Sequence, residues 1–477
     1  MKYLKVILKV IAGLLLAVIV FLVAVILIDK QQTSYLDLKN NPDSKNNSYL
    51  LTNVNLVPMT QDTVLANQMV YVKDGIIQEI GNNLKTENVK TIDAGNGYLT
   101  PGLIDMHVHV WDKYELGLYL ANGVTTVRNV WGIPLHLRMK KEINSGEILA
   151  PLFFTTGPKL TGPEFIGDDN LQLYTPEEAR EKIIDYKERG YDYIKSYYGL
   201  PKDIFDAIID QARISDMDIV AHPSQKVPYS YHFNPQIISL EHAEEIVQQP
   251  LNFELDTAKL TPIIREFKNS PHTSFTPTLI VFYNIYNMLI DDQVLSSELV
   301  QFMNPLIRKT DSEAQFERWS NSQKRDSTTT ERIKKQHDFH LAIVRKLHEA
   351  GVNIICGTDA GIGITVPGYS LHQELALYQE AGMGAYEALK TATLNPSKTH
   401  KEFKNLGTIE KGKMANFVLT SGNPLENLEE LENPQWVMVK GHKIEKDVLS
   451  EFIDKARNRN GYLATAIEYA ENLIVEK

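Results

Sequence analysis

Two histidines one residue apart, His107 and His109 in "LTPGLIDMHVHV", follow a Pro-Gly turn and an apolar strand. Alternation along a strand sends both imidazoles to one side and Val108 to the other, so the pair can grip a single metal ion at the strand's end. Further chemistry-bearing residues end other short apolar segments: Lys195 in "YDYIKSYY", His222 in "DIVAHPS", His242 in "IISLEHA" and Asp359 in "VNIICGTDAG". Each has an ordinary structural explanation alone, as a snorkelling lysine, a turn residue, a capping group or a helix N-cap. Together they form a set of imidazole, carboxylate and amine groups that suits divalent zinc.

The elements needed to bring them together are visible in the same text. From Leu103 to about Asn405, apolar strands alternate with amphipathic stretches such as "TPEEAREKIIDYKERG" and "PKDIFDAIIDQARISDM". With "GVTTVRNV", "LFFTTGPK" and "TSFTPTLI" included, the strands suffice for an α/β fold of the (β/α)8 TIM-barrel type, which needs about 250 residues and places chemistry where strands end. No G-x-G-x-x-G follows an early strand, which disfavours a doubly wound sheet. Before the barrel, residues 49–102 read as short strands with an Asp74-Gly75 hairpin turn. Residues 404–446 have the same texture, so both are expected to complete one small β-sandwich domain around a barrel of residues 103–403. Residues 447–477 read as a helical tail.

The chain begins with lysines at 2, 5 and 9 and an uncharged run from Val10 to Ile28, which at helical rise covers about 28 Å, close to a bilayer's hydrocarbon thickness. A cleavable signal peptide is the rival, but "VAVILID" is a poor cleavage site. The expectation is an uncleaved anchor over residues 1–30 and a solvated polar tether over 31–48. The lysine bias puts the N-terminus in the cytoplasm and the body outside it. At 477 residues, 43% hydrophobic and 23% charged, the body is an ordered globular protein. A net charge of −11 without a dense basic block argues against a nucleic-acid partner, and a single cysteine, Cys356, excludes a disulfide framework. A small-molecule or short-peptide substrate is expected, with an oligomer left open.

The motifs "TPGLIDMHVHV", "GVTTVRNV", "YDYIKSYY", "AHPS", "SLEHAEE" and "GTDAG", and the closing run from "LHQELALYQEAGMGAYEALKTATLNPSK" to "SGNPL", resemble the amidohydrolase superfamily, in its imidazolonepropionase-like and prolidase-like (Xaa-Pro dipeptidase-like) branch. The resemblance runs from Leu50 to about Glu445. It departs at Asn416, where the family usually carries Asp, at a position in the expected sandwich. It implies two divalent ions, zinc by donor type, one on His107, His109 and Asp359 and one on His222 and His242. A carbamate on Lys195 would bridge them. An ammonium beside two cations would be electrostatically unreasonable, and apolar neighbours favour the neutral amine that takes up carbon dioxide.

Such a site generates a hydroxide nucleophile at neutral pH, with Asp359 as the proton shuttle an amide leaving group needs. Tyr197, Tyr198 and Tyr231 are candidate substrate contacts. The function implied is cleavage of a C–N bond, in an Xaa-Pro or N-acyl amino-acid substrate. A lactone or phosphoester hydrolase on the same metals is the alternative, and a catalytically silent membrane-tethered binding protein is a third reading of another class.

Overall fold

The computed structural model describes residues 2–164 and 170–476. Its centre is a ring of parallel strands: Leu103–Val108, Val124–Asn129, Leu152–Thr155, Ile194–Ser196, Ile219–Ala221, Ile237–Glu241 and Ser274–Thr276. The first three form one parallel sheet and the last four belong to another. Isolated bridges make the remaining joints: Thr156 to Tyr193, Phe275 to Ile354 and Val108 to Ala360. The architecture is TIM-barrel-like, but among the described residues no continuous ladder closes it. The expected eighth strand, residues 353–360, is irregular. Asp359 has a positive φ of 61°, so the segment cannot keep strand geometry and holds to its neighbours through single bonds such as Met106 N–H to the Cys356 carbonyl.

Helices pack outside the ring where amphipathic text predicts them. Pro176–Arg189 starts at a capping box, with the Glu178 N–H donating to Thr175 Oγ1, and stops at left-handed Gly190. Lys202–Ile214 buries Ile204, Phe205, Ile208 and Ala212 on one face. The connection after the seventh strand is longer, with helices Leu279–Ile290, Glu313–Arg325 and Thr329–Glu349.

The two chain ends meet in one mixed sheet. Tyr49–Leu56 pairs with Leu65–Lys73 on one edge, and on the other first with Lys90–Asp93 and then with Tyr98–Pro101. Tyr98–Pro101 in turn pairs antiparallel with Phe417–Thr420, beside Trp436–Val439 and His442–Glu445. Val70, Val72 and Ile77 from one limb share an apolar cluster with Phe417, Trp436 and Met438 from the other.

Helix Lys2–Gln32 is long and apolar enough to cross a membrane. The polar stretch after it is not the solvated tether expected. Leu36 is fully buried, Asp37 bridges to Ile148, and Asn41 donates a hydrogen bond to the Lys443 carbonyl at 3.0 Å. Tyr35 and Leu36, two apolar residues within that polar text, supply the burial that docks it. The tail forms helices Lys446–Arg457 and Tyr462–Val475, and the second packs against the N-terminal helix.

Candidate metal centre

His107 and His109 leave the first barrel strand on the same side, as the alternation requires. Both Nε2 atoms lie near Asp359 Oδ1, at 3.2 and 2.8 Å. His242, just past the sixth strand, brings Nδ1 to 4.0 Å from Asp359 Oδ2. His107, His242 and Asp359 each present a ligand atom within 4.8 Å of the others, and all three residues are buried. His222 joins through ring contacts, 4.7 Å from His242 between centroids. His242, Asp359 and Thr278 all have φ in the left-handed region, at 71°, 61° and 49°. Such backbone costs about 1–3 kcal/mol per residue and persists where surrounding structure over-determines it, as at functional sites.

Fixed partners orient each imidazole. His107 Nδ1 meets Glu241 Oε2 at 2.5 Å, which turns Nε2 toward Asp359. Glu241 Oε1 accepts from Arg128 Nη2 at 3.0 Å, and Arg128 is itself fully buried, with Nε donating to the Met106 carbonyl and Nη1 to Ser239 Oγ. His222 Nε2 lies 2.9 Å from Glu245 Oε1, and His242 Nδ1 lies 2.9 Å from Thr278 Oγ1. Asp105 accepts from the Thr358 hydroxyl and so ties the first strand to the segment carrying Asp359. These carboxylate–imidazole pairs are the arrangement that fixes tautomer and aim in metal-binding histidines.

Charges in the centre follow from burial and contact. Burial lowers the Lys195 amine to about 8, despite Glu241 and Asp359 nearby. Burial also lowers His109 and His222, and takes His242 well below its ordinary range with help from His222 and His107. For Asp359 burial pushes upward, but His107 and His109 prevail and hold the carboxyl well below its usual range. Burial thus favours the neutral form of His109, His222 and His242 beside the Asp359 carboxylate, the donor state a divalent ion requires.

Two buried polar atoms here lack a hydrogen-bond partner: Lys195 Nζ and His222 Nδ1. Orphaned buried groups are costly, and an open imidazole nitrogen and a buried amine from separate segments, beside the His107, His242 and Asp359 cluster, fit a metal site. Among the aromatic candidates, the rings of Tyr197 and Tyr198 lie 4.6 and 4.2 Å from His222, and the Tyr198 hydroxyl donates to Glu245 Oε1. Tyr231 packs instead on Phe205 and Lys202, away from these residues. The supporting residues Glu241, Arg128, Glu245 and Thr278 were absent from the candidates named by motif. For Arg128 and Glu241 the signal is a charge inside apolar strand text, as in "TTVRNV" and "ISLEH".

Residues 323–444 match the Amidohydrolase family model. A dihydroorotase of Trichlorobacter lovleyi is 52% identical over 44 residues, 9% of this chain and 10% of that protein. The chain therefore spans about a tenth of the length of the curated relatives it matches. Among solved structures, a bottromycin amidohydrolase superposes with TM-score 0.71 at 21% identity over 93% of this chain and 98% of that one. An Xaa-Pro dipeptidase with bound methionine superposes with TM-score 0.62 at 20% identity over 83% and 100%. At these identities the two structures share the fold. The family match includes the segment carrying Asp359, and over residues 323–444 the chain is similar to the Amidohydrolase family.

Proposed function

We propose that this chain is a metal-dependent hydrolase that cleaves a C–N bond in an Xaa-Pro or N-acyl amino-acid substrate. The observation that carries the reading is the unpartnered Lys195 Nζ, buried beside His222, His242 and Asp359. An amine there, lowered to about 8, has a sizeable neutral fraction at neutral pH, which is the form that carbamylates. One zinc ion would be held by His107, His109 and Asp359 and a second by His222 and His242, with carbamylated Lys195 between them. A metal pair in such a site supplies an activated water and polarises the carbonyl.

The chain's own groups do the rest. Glu241 and Glu245 hold His107 and His222 in single orientations, so no reorganisation is needed during turnover. The Asp359 carboxylate takes up the proton that the attacking water loses and delivers it to the departing nitrogen, because an amide anion is too basic to leave unprotonated. Tyr197 and Tyr198 form an apolar wall beside His222 against which a substrate side chain packs. An anchored body outside the cytoplasm would meet peptides and scavenged amides.

A substrate panel tests the reading: Xaa-Pro dipeptides and N-acyl amino acids against lactones and phosphotriesters, in protein of measured metal content. Higher kcat/KM on the amides supports it. A lactone or phosphotriester preference above about tenfold, roughly 1.4 kcal/mol of transition-state preference, replaces it with the alternative hydrolase.

A further inference from the structure

We propose that the C-terminal helix Tyr462–Val475 lies in the membrane interface, as a second lipid contact beside the N-terminal span. The inference rests on reading Lys2–Gln32 as an uncleaved transmembrane anchor. One face of the C-terminal helix is fixed to the body. Ala464, Thr465 and Asn472 are buried, Glu471 takes bonds from Arg138, and Glu476 pairs with Arg189. The opposite face carries Leu463, Ala466, Ile467, Ala470, Leu473 and Ile474. At 100° per residue these six occupy an arc of about 120° with no charge in it. Leu463 is 51% exposed and Ile474 83% exposed, Ala470 and Leu473 are exposed as well, and Ala466 and Ile467 are half-buried. A docked surface helix whose outward stripe is wholly apolar is built to meet something apolar.

The position of the anchor names the occupant. Ile26, Asp29 and Lys30, at the end of the uncharged run, line one small cavity with Ala464, Thr465 and Glu468. The hydrocarbon boundary implied by Ile28 therefore passes within about one helical turn of this helix. An apolar stripe at that level is covered by lipid headgroups and upper acyl chains, the setting of an in-plane helix. Its inner side reaches toward the metal centre. Tyr469 lies 6.0 Å from Trp111 and 6.3 Å from Trp131, and Trp131 lies 6.3 Å from His109, all between ring centroids.

Because Cys356 is buried, single introduced cysteines can be labelled with an environment-sensitive fluorophore on the full-length chain. Ile474→Cys, Leu16→Cys and Ile214→Cys are compared in phosphatidylcholine vesicles with and without brominated acyl chains. Ile214 ends a helix that leads into the start of a barrel strand, so it marks the face away from the mouth. Expected are strong quenching at Leu16, about half as much at Ile474 and none at Ile214. Quenching at Leu16 alone overturns the inference and leaves the anchor standing. No quenching at either site overturns the anchor reading together with the inference built on it. A label at Ile474 shielded from water but unquenched, with concentration-dependent energy transfer between copies, assigns the stripe to self-association and overturns the lipid contact.

Discussion

The Arg459 guanidinium grips Asp112 with Nη1 at 2.9 and 3.0 Å from the two carboxylate oxygens, tying the C-terminal tail to the turn directly behind His109. Glu115 stands 3.7 Å from the same nitrogen, and Asn304 donates to both Asp112 and Thr465. Arg459→Met leaves two buried carboxylates without their cation, so unfolding free energy should fall by about 3–5 kcal/mol. Chemical denaturation of the detergent-solubilised chain measures this. A change below about 1 kcal/mol would show the pair to be dispensable.

Glu241→Gln and Arg128→Met should each weaken metal binding by about 10–100-fold while leaving the fold in place, since both act through the orientation of His107. Chelator competition reads the affinity and circular dichroism the fold. Unchanged affinity in Glu241→Gln would remove the orienting role.

Metal content separates the ligands. His107→Ala with His109→Ala should lose one divalent ion, and Lys195→Ala the other, with partial recovery of Lys195→Ala by a short carboxylic acid and bicarbonate. Asp359→Asn should keep most metal and lose turnover by about 10²–10⁴-fold. Full activity after thorough metal removal would sink the proposed mechanism.

His340 provides an acid-sensitivity test remote from the centre. It is buried against Phe282, and burial lowers it to about 3. The folded form therefore holds it neutral while the unfolded chain titrates near 6.5. A lowered histidine contributes stability that is full above about pH 6.5 and is lost as pH falls toward the folded value. Relative to the wild-type chain, His340→Leu should gain about 1.4 kcal/mol per pH unit between roughly pH 6 and 4. A pH-independent difference would mean the imidazole is protonated in place.

Protease added outside the cytoplasmic membrane should reach residues beyond Lys30 in a protein that pellets with membranes. A soluble cytoplasmic pool of full-length chain would contradict this orientation.

Much of the centre is legible because its residues end strands. His107 and His109 share a side through alternation, and Lys195, His222 and His242 follow one another around the ring because consecutive parallel strands are neighbours. What escapes is set by pairing across distance. Arg128 reaches Glu241 over 113 positions and Arg459 reaches Asp112 over 347, and no local pattern encodes a partner so far away. The strand expected at 353–360 misleads for a different reason. Its text is apolar, but the backbone at Asp359 is left-handed, a conformation that no strand keeps whatever its β propensity.

The pairing of Tyr98–Pro101 with Phe417–Thr420 sets the timetable of biosynthesis. Tyr98–Pro101 emerges from the ribosome some three hundred residues before its partner, and contacts of such sequence separation are the slowest to form. Helix Lys2–Gln32, apolar enough to cross a membrane, emerges first, while the strand edge is still open. Asp112 waits longer still, for Arg459, so a chain that ends before residue 459 leaves the turn behind His109 without this ion pair.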